Sequence, residues 1–157
     1  MTSVAGGGVV LLPGDARVID LGGFEVLVHA EGAQTAGQFS LMETRDPTAG
    51  GGPPLHIHRD CAESFVVLAG RYAMWLDDRE FDCPAGSFVY VPKDMRHTFR
   101  SLEAGSRKLN LYTPGAMVGY FDELAVGIAA GMSEADLDEL AARHAMEVVG
   151  PVPEGYL

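Results

Sequence analysis

Three histidines and one glutamate are the residues of this chain best placed to do chemistry. His56, His58 and Glu63 fall in the stretch Gly50-Gly51-Gly52-Pro53-Pro54-Leu55-His56-Ile57-His58-Arg59-Asp60-Cys61-Ala62-Glu63, and His97 closes Pro92-Lys93-Asp94-Met95-Arg96-His97. Successive side chains of an extended strand point to opposite faces, so His56 and His58 share a face while Ile57 points away. Glu63 lies too far along for the same straight strand, and a turn at Arg59-Asp60-Cys61-Ala62 has to bring its carboxylate round. His97 has to arrive from a different strand. Neutral imidazoles with one carboxylate suit divalent iron, manganese, nickel, copper or zinc, and poorly suit calcium or magnesium, which favour oxygen shells. A set of three histidines and one glutamate leaves coordination positions open to solvent or substrate, which points to catalysis more than to a structural site. The expected cofactor is therefore one divalent transition metal. Its identity is left open, because affinity follows the same order at any such site and supply decides occupancy. Glu63 is expected to ligate the metal and to serve as the catalytic base toward a bound substrate.

The elements that must position these groups are short. Runs at Val9–Leu12, Arg17–Leu21, Phe24–Ala30, Gln38–Thr44, Ser64–Leu68, Tyr72–Leu76, Phe88–Val91, Thr98–Arg100 and Lys108–Tyr112 are separated by turn residues such as Pro13-Gly14, Gly22-Gly23, Asp46-Pro47 and Asp77-Asp78. Short strands at this regular spacing predict an all-β sandwich or barrel. After about residue 116 the pattern turns helical. Val118–Ala130 and Glu134–Val148 carry apolar residues at helical spacing, with Ser133 and Asp136 as a capping box and Gly131 and Gly150 as stops. Two helices packed on the barrel's outside or across its mouth are expected. With no repeat or linker between the parts, the chain reads as one domain, barrel about 9–113 and helical extension about 116–150.

Composition narrows the partners. The 157 residues are 47% hydrophobic with 20 glycines and 9 prolines, which fits a turn-rich globular domain with a real core. A formal net charge of -11 with eleven scattered Lys and Arg argues against nucleic acid. The acidic excess is greatest in the tail, where Asp122, Glu123, Glu134, Asp136, Asp138, Glu139, Glu147 and Glu154 face a single Arg143, a solvated helix face. No apolar run approaches the roughly 20 residues that cross a bilayer, so no membrane partner is expected. Met1 to Val10 lacks a secretory pattern and only Cys61 and Cys83 are present, so a reduced, cytoplasmic setting is the expectation.

For a small-molecule substrate, Phe65 and Phe99 stand out, since each is two residues from a candidate ligand and shares its face. Tyr72 and Met74 join them as substrate-binding candidates on a neighbouring strand. Such a cavity is apolar with few polar groups and suits an aromatic or enolisable molecule. His29 and His144 are expected to be structural, Cys61 and Cys83 to be packed thiols, and Lys93 and Arg96 to be solvated turn residues.

With those residues in hand, the chain resembles the cupin family. That family's first motif runs glycine, five residues, His-x-His, three or four residues, Glu, six residues, glycine, and Gly50, His56, His58, Glu63 and Gly70 fit it. In the second, Gly86, Pro92 and His97 fit, while Asp94 stands where glycine is usual and Ser101 where asparagine is usual. Asp tolerates positive φ better than most residues, so Asp94 suits the turn. The resemblance implies a jelly-roll barrel with the metal near one end inside it, and a homodimer. The chain is also similar to small bacterial quercetin dioxygenase-like cupins. That similarity implies a dioxygenase, with a non-oxidative isomerase or cyclase and a binding protein without turnover as rivals, since a fold does not fix a function.

Overall fold

A computed structural model of the protein describes residues 2–4 and 7–151, with side chains from 7 onward. Glu154 of the acidic tail and parts of the amino-terminal stretch lie outside the described residues. Thirteen strands are described: β1 (Thr2–Val4), β2 (Gly8–Val10), β3 (Arg17–Asp20), β4 (Glu25–Ala30), β5 (Ser40–Asp46), β6 (Leu55–His58), β7 (Ala62–Ala69), β8 (Arg71–Leu76), β9 (Arg79–Pro84), β10 (Phe88–Val91), β11 (His97–Ser101), β12 (Ser106–Thr113) and β13 (Met146–Gly150). Helices α1 (Val118–Ala129) and α2 (Glu134–Arg143) lie between β12 and β13, and a 3-10 turn spans Gly32–Thr35.

The strands form a six-stranded sheet in the order β10-β7-β12-β5-β4-β3 and a five-stranded sheet in the order β13-β6-β11-β8-β9, with β1 and β2 paired separately. All the pairings are antiparallel. The two sheets close on a shared interior. At one end Phe65 and Val67 of β7 pack with Tyr72 and Met74 of β8 and Val91 of β10. At the other, Val26, Val28 and Met42 pack with Met117 and Val118 near the start of α1, Ala141 of α2 and Met146 of β13. This is a jelly-roll barrel with two carboxy-terminal helices packed on it, the all-β architecture expected from the sequence.

The second helix ends earlier than its sequence suggests. The expected span Glu134–Val148 stops at Arg143, and Met146–Gly150 becomes a strand along β6, with Met146 opposite His58 and Val148 opposite His56. Gly150 is therefore part of a strand rather than a helix stop. Met146 and Val148 fit a period of two as well as one helical turn, and short apolar runs cannot separate the two. Tertiary pairing decides: β13 satisfies the open edge of β6. The Ser133–Asp136 capping box forms as expected. β9 was not anticipated; its charged residues Arg79, Glu80 and Asp82 suit a solvated edge strand.

Candidate metal centre

His56 and His58 project inward from β6, as their spacing requires. β6 is held by β13 on one side and by β11 on the other, where His97 pairs directly with His56. Glu63 reaches the same point from the opposite sheet, one residue into β7. The loop before β6 is laid along β11: Thr98 Oγ1 donates to Pro53 O at 2.6 Å, Ser101 N to Gly51 O at 2.9 Å, and Gly50 N to Ser101 O at 2.8 Å. Ser101 is buried, and its hydroxyl also donates to Thr48 O at 3.2 Å, so it ties down the loop. Glycine is required at 52, because a Cβ there would overlap the carbonyl oxygen of Phe99. Asp94 adopts φ +66°, as the turn before His97 demands; its N–H donates to His58 O at 2.9 Å and its carboxylate meets Arg59 at 2.7 Å.

The four side chains converge. One ligand atom from each of His56, His58, Glu63 and His97 lies within 4.8 Å of the others, and all four residues are buried. The imidazole centroids are 4.2 to 5.3 Å apart. His56 Nδ1 lies 2.8 Å from Pro54 O and His97 Nδ1 lies 3.0 Å from Met95 O. Carbonyls only accept, so each Nδ1 carries hydrogen and each neutral ring turns a lone pair on Nε2 toward the cluster. His97 Nε2 and His58 Nε2 both stand 3.1 Å from Glu63 Oε2. His58 Nδ1 is buried and has no hydrogen-bond partner among the described residues.

This donor set fits a divalent metal. For His97 to donate from Nε2 as well as from Nδ1, the ring has to be an imidazolium; otherwise two lone pairs face each other at 3.1 Å. A cation among the four atoms removes that conflict. Burial, reinforced by the neighbouring His97 and His58, pushes the His56 pKa down to about 3, so that ring is neutral and able to ligate. Burial pushes the Glu63 carboxyl up, but the His58 and His97 rings against it outweigh that and hold the group well below the ordinary carboxylate range.

A cavity of about 770 Å³ opens onto this cluster. Phe24, Met117, Tyr120, Phe121 and Leu124 form much of its apolar wall, so the helical extension covers the barrel mouth. Of the four substrate-binding candidates, Phe99 lines this cavity. Phe65, Tyr72 and Met74 belong to the core at the other end and are not among its lining. Phe65 does keep contact with the cluster, its ring 6.4 Å from that of His97.

Polar lining at Thr44, Asp46, Asn110 and Tyr112 was missed. The signal was present in β12, where Ser106, Lys108, Asn110 and Tyr112 alternate with Arg107, Leu109 and Leu111. The polar set faces inward and is buried, and Leu111 faces the outer side. Burial, then Glu63, drives the Tyr112 hydroxyl well above its ordinary pKa.

The other candidates take structural places. His29 Nε2 lies 3.5 Å from Glu43, and His144 caps α2 with Nε2 3.0 Å from Glu123. Arg96 pairs with Asp78 at 3.0 Å, and Lys93 is exposed. Burial and then Asp60 push the Cys61 thiol up to about 12, which leaves it inert as a nucleophile. Cys83 is buried and free, its thiol likewise pushed up by burial.

Residues 44–109 match the cupin domain family. The matched segment bears all four of His56, His58, Glu63 and His97. The chain is 29% identical over 90 residues to a quercetin 2,3-dioxygenase of Bacillus subtilis (strain 168), a match covering 57% of this chain and 26% of that protein. The matched segment thus spans about a quarter of its relative's length. Among solved structures, KdgF from a Halomonas species superposes with a TM-score of 0.61 at 17% identity, covering 68% of this chain and 94% of that one. The polyketide cyclase RemF from Streptomyces resistomycificus gives 0.57 at 19% identity, covering 68% and 79%. At these identities the cupin structures share the fold. Among the described residues, no helix is long and apolar enough to cross a membrane.

Proposed function

We propose that this protein is a metal-dependent dioxygenase acting on an aromatic or enolisable small molecule. The observation that carries the reading is the placement of His56, His58, Glu63 and His97 at one buried point on an apolar cavity. The sequence likeness to a quercetin 2,3-dioxygenase supplies the oxygen chemistry. A divalent metal on these four side chains would lower the pKa of a bound enol or phenol and supply the site for reaction with oxygen.

The chain's own residues do the rest. Glu63, kept ionised by its histidine contacts, accepts the hydroxyl proton of the incoming substrate at its carboxylate. Tyr112 sits beside it in register, across the β7–β12 pair. Phe24, Phe99, Tyr120 and Phe121 hold an aromatic skeleton by stacking and exclude water from the charged centre. The free, buried cysteines support a cytoplasmic setting, and Phe88 and Tyr90, exposed on edge strand β10, support a homodimer.

The same residues would serve a non-oxidative isomerisation or cyclisation, and the fold shared with a polyketide cyclase motivates that second reading. Oxygen uptake by metal-loaded protein with a panel of flavonols and other enolisable aromatics separates the two. Uptake stoichiometric with substrate loss is expected. Product formed without oxygen consumption would establish the isomerase or cyclase instead, and ligand recovered unchanged after long incubation would leave only binding.

A further inference from the structure

The cavity has a second polar pole, away from the metal cluster. On β12 the inward side chains step from Tyr112, opposite Glu63, to Asn110, opposite Phe65, to Lys108, opposite Val67 and Thr44. Two residues of strand advance by roughly 7 Å, so Asn110 stands about one substituted ring beyond Tyr112. Thr44, Asp46 and Asn110 line the cavity there, and each is 3% exposed. Behind them lies Lys108, fully buried, with Nζ 3.7 Å from the centroid of Phe99.

The hydrogen bonding of this pole is incomplete. Thr44 Oγ1 accepts from Lys108 Nζ at 2.6 Å and from Asn110 Nδ2 at 3.3 Å, which fills both of its lone pairs. Its own hydrogen has no acceptor among the described residues. Asp46 uses Oδ2 to accept from the Tyr72 hydroxyl at 2.5 Å, and neither Asp46 Oδ1 nor Asn110 Oδ1 has a side-chain donor there. These groups open onto the cavity, so a molecule bound there can complete their hydrogen bonding. Apolar residues would fill the space if filling were all that was required. The free groups are one donor and two acceptors. A ligand hydroxyl, which donates one hydrogen and accepts through oxygen, complements that set; a carbonyl could meet only the donor.

Resting on the proposed function, we propose that Thr44, Asn110 and Asp46 form a second subsite that receives a hydroxyl on the far end of a polyhydroxylated aromatic whose enol or phenol oxygen lies at the metal cluster. Lys108 is a positioning residue: it fixes the Thr44 hydroxyl and offsets the Asp46 carboxylate. The site thereby selects ligands oxygenated at both ends over those oxygenated at one.

The test is binding of two flavonols to the purified protein, with bound metal measured alongside. Quercetin carries ring hydroxyls; the unsubstituted flavonol has the same enol and none of them. In Asn110→Leu and Thr44→Val, quercetin affinity is expected to fall at least about tenfold while the unsubstituted flavonol changes less than about twofold, the signature of one lost hydrogen bond. Thr44→Ser, which keeps the hydroxyl, is expected to bind both as the parent does. The unsubstituted flavonol also reports that each variant is folded. Equal losses for both ligands, no loss for quercetin, or failure of the parent protein to prefer quercetin each overturn the subsite. Discrimination between the flavonols without oxygen uptake would count against the dioxygenase reading while upholding the subsite.

Discussion

His97 on one sheet and Glu63 on the other bring Nε2 and Oε2 to 3.1 Å, while His97 Nδ1 is committed to Met95 O at 3.0 Å. The contact bridges the two layers of the barrel, and its chemistry requires a positive charge between the atoms. Replacing His97 by Ala removes one of the four proposed ligands, the one contributed by β11. Metal affinity is expected to fall at least about a hundredfold, beyond the loss usual for residues that merely support ligands. Elemental analysis after dialysis reads this directly; unchanged metal content in the variant would refute the four-residue centre.

The metal-free protein is expected to lose stability as pH falls below neutrality. His56 has a folded pKa of about 3 against an ordinary 6.5. Between those values the unfolded chain binds a proton that the folded chain does not, so stability declines as pH falls through that window. Glu63, also depressed in the fold, adds a loss in the same direction below its ordinary 4.5. Urea unfolding of metal-free protein across this range should show a falling midpoint, with a shallower fall in His56→Gln. A midpoint that is flat or rises toward acid contradicts the buried, neutral His56.

Much of the centre was legible because its information is local. The His56-x-His58 alternation, the turn before Glu63 and the turn at Asp94 each follow from a few adjacent residues, and the structure has all three. What escaped was set by partners distant in sequence. Met146 and Val148 read equally well as helix, and only the vacant edge of β6 makes them a strand. On β12 the alternation of polar residues with Leu109 and Leu111 does not by itself say which set faces inward; the polar set does, because the interior there is a polar cavity wall and not packed core. Phe65, Tyr72 and Met74 do face inward, but the sequence does not reveal that the cavity opens toward the helices and not toward them.

Gly52→Ala tests the loop that carries the first motif. The added methyl would meet the backbone of Phe99, which cannot swing aside as a side chain would. Either the Gly50–Pro54 loop or β11 must shift, and β11 bears His97. A loss of about 1–3 kcal/mol in unfolding free energy is expected, as for overpacking elsewhere. Metal affinity should drop with it, since the displaced strand carries His97, a proposed ligand. Denaturant unfolding and metal titration check the pair; a variant as stable as the parent would mean that the loop does not lie against β11.

Tyr72→Phe examines the buried polar group behind the cavity. The Tyr72 hydroxyl donates to Asp46 at 2.5 Å, and the aromatic ring keeps its packing in the variant. Burial already raises the Asp46 pKa, against the pull of Lys108 and of this hydrogen bond. Removing the hydroxyl leaves a carboxylate oxygen bare, which should destabilise the fold by about 1–3 kcal/mol near neutrality. The sign with pH follows from the part Tyr72 plays, because its hydrogen bond lowers the Asp46 pKa and its loss leaves that pKa higher in the folded variant than in the folded parent. The variant therefore takes up a proton at Asp46 before the parent does, and the deficit shrinks as the solution is acidified. Urea unfolding of parent and variant at neutral and at acid pH measures the difference. No deficit near neutrality would show that Tyr72 contributes packing without a hydrogen bond of consequence, and a deficit that grows on acidification would contradict the pull of that bond on Asp46.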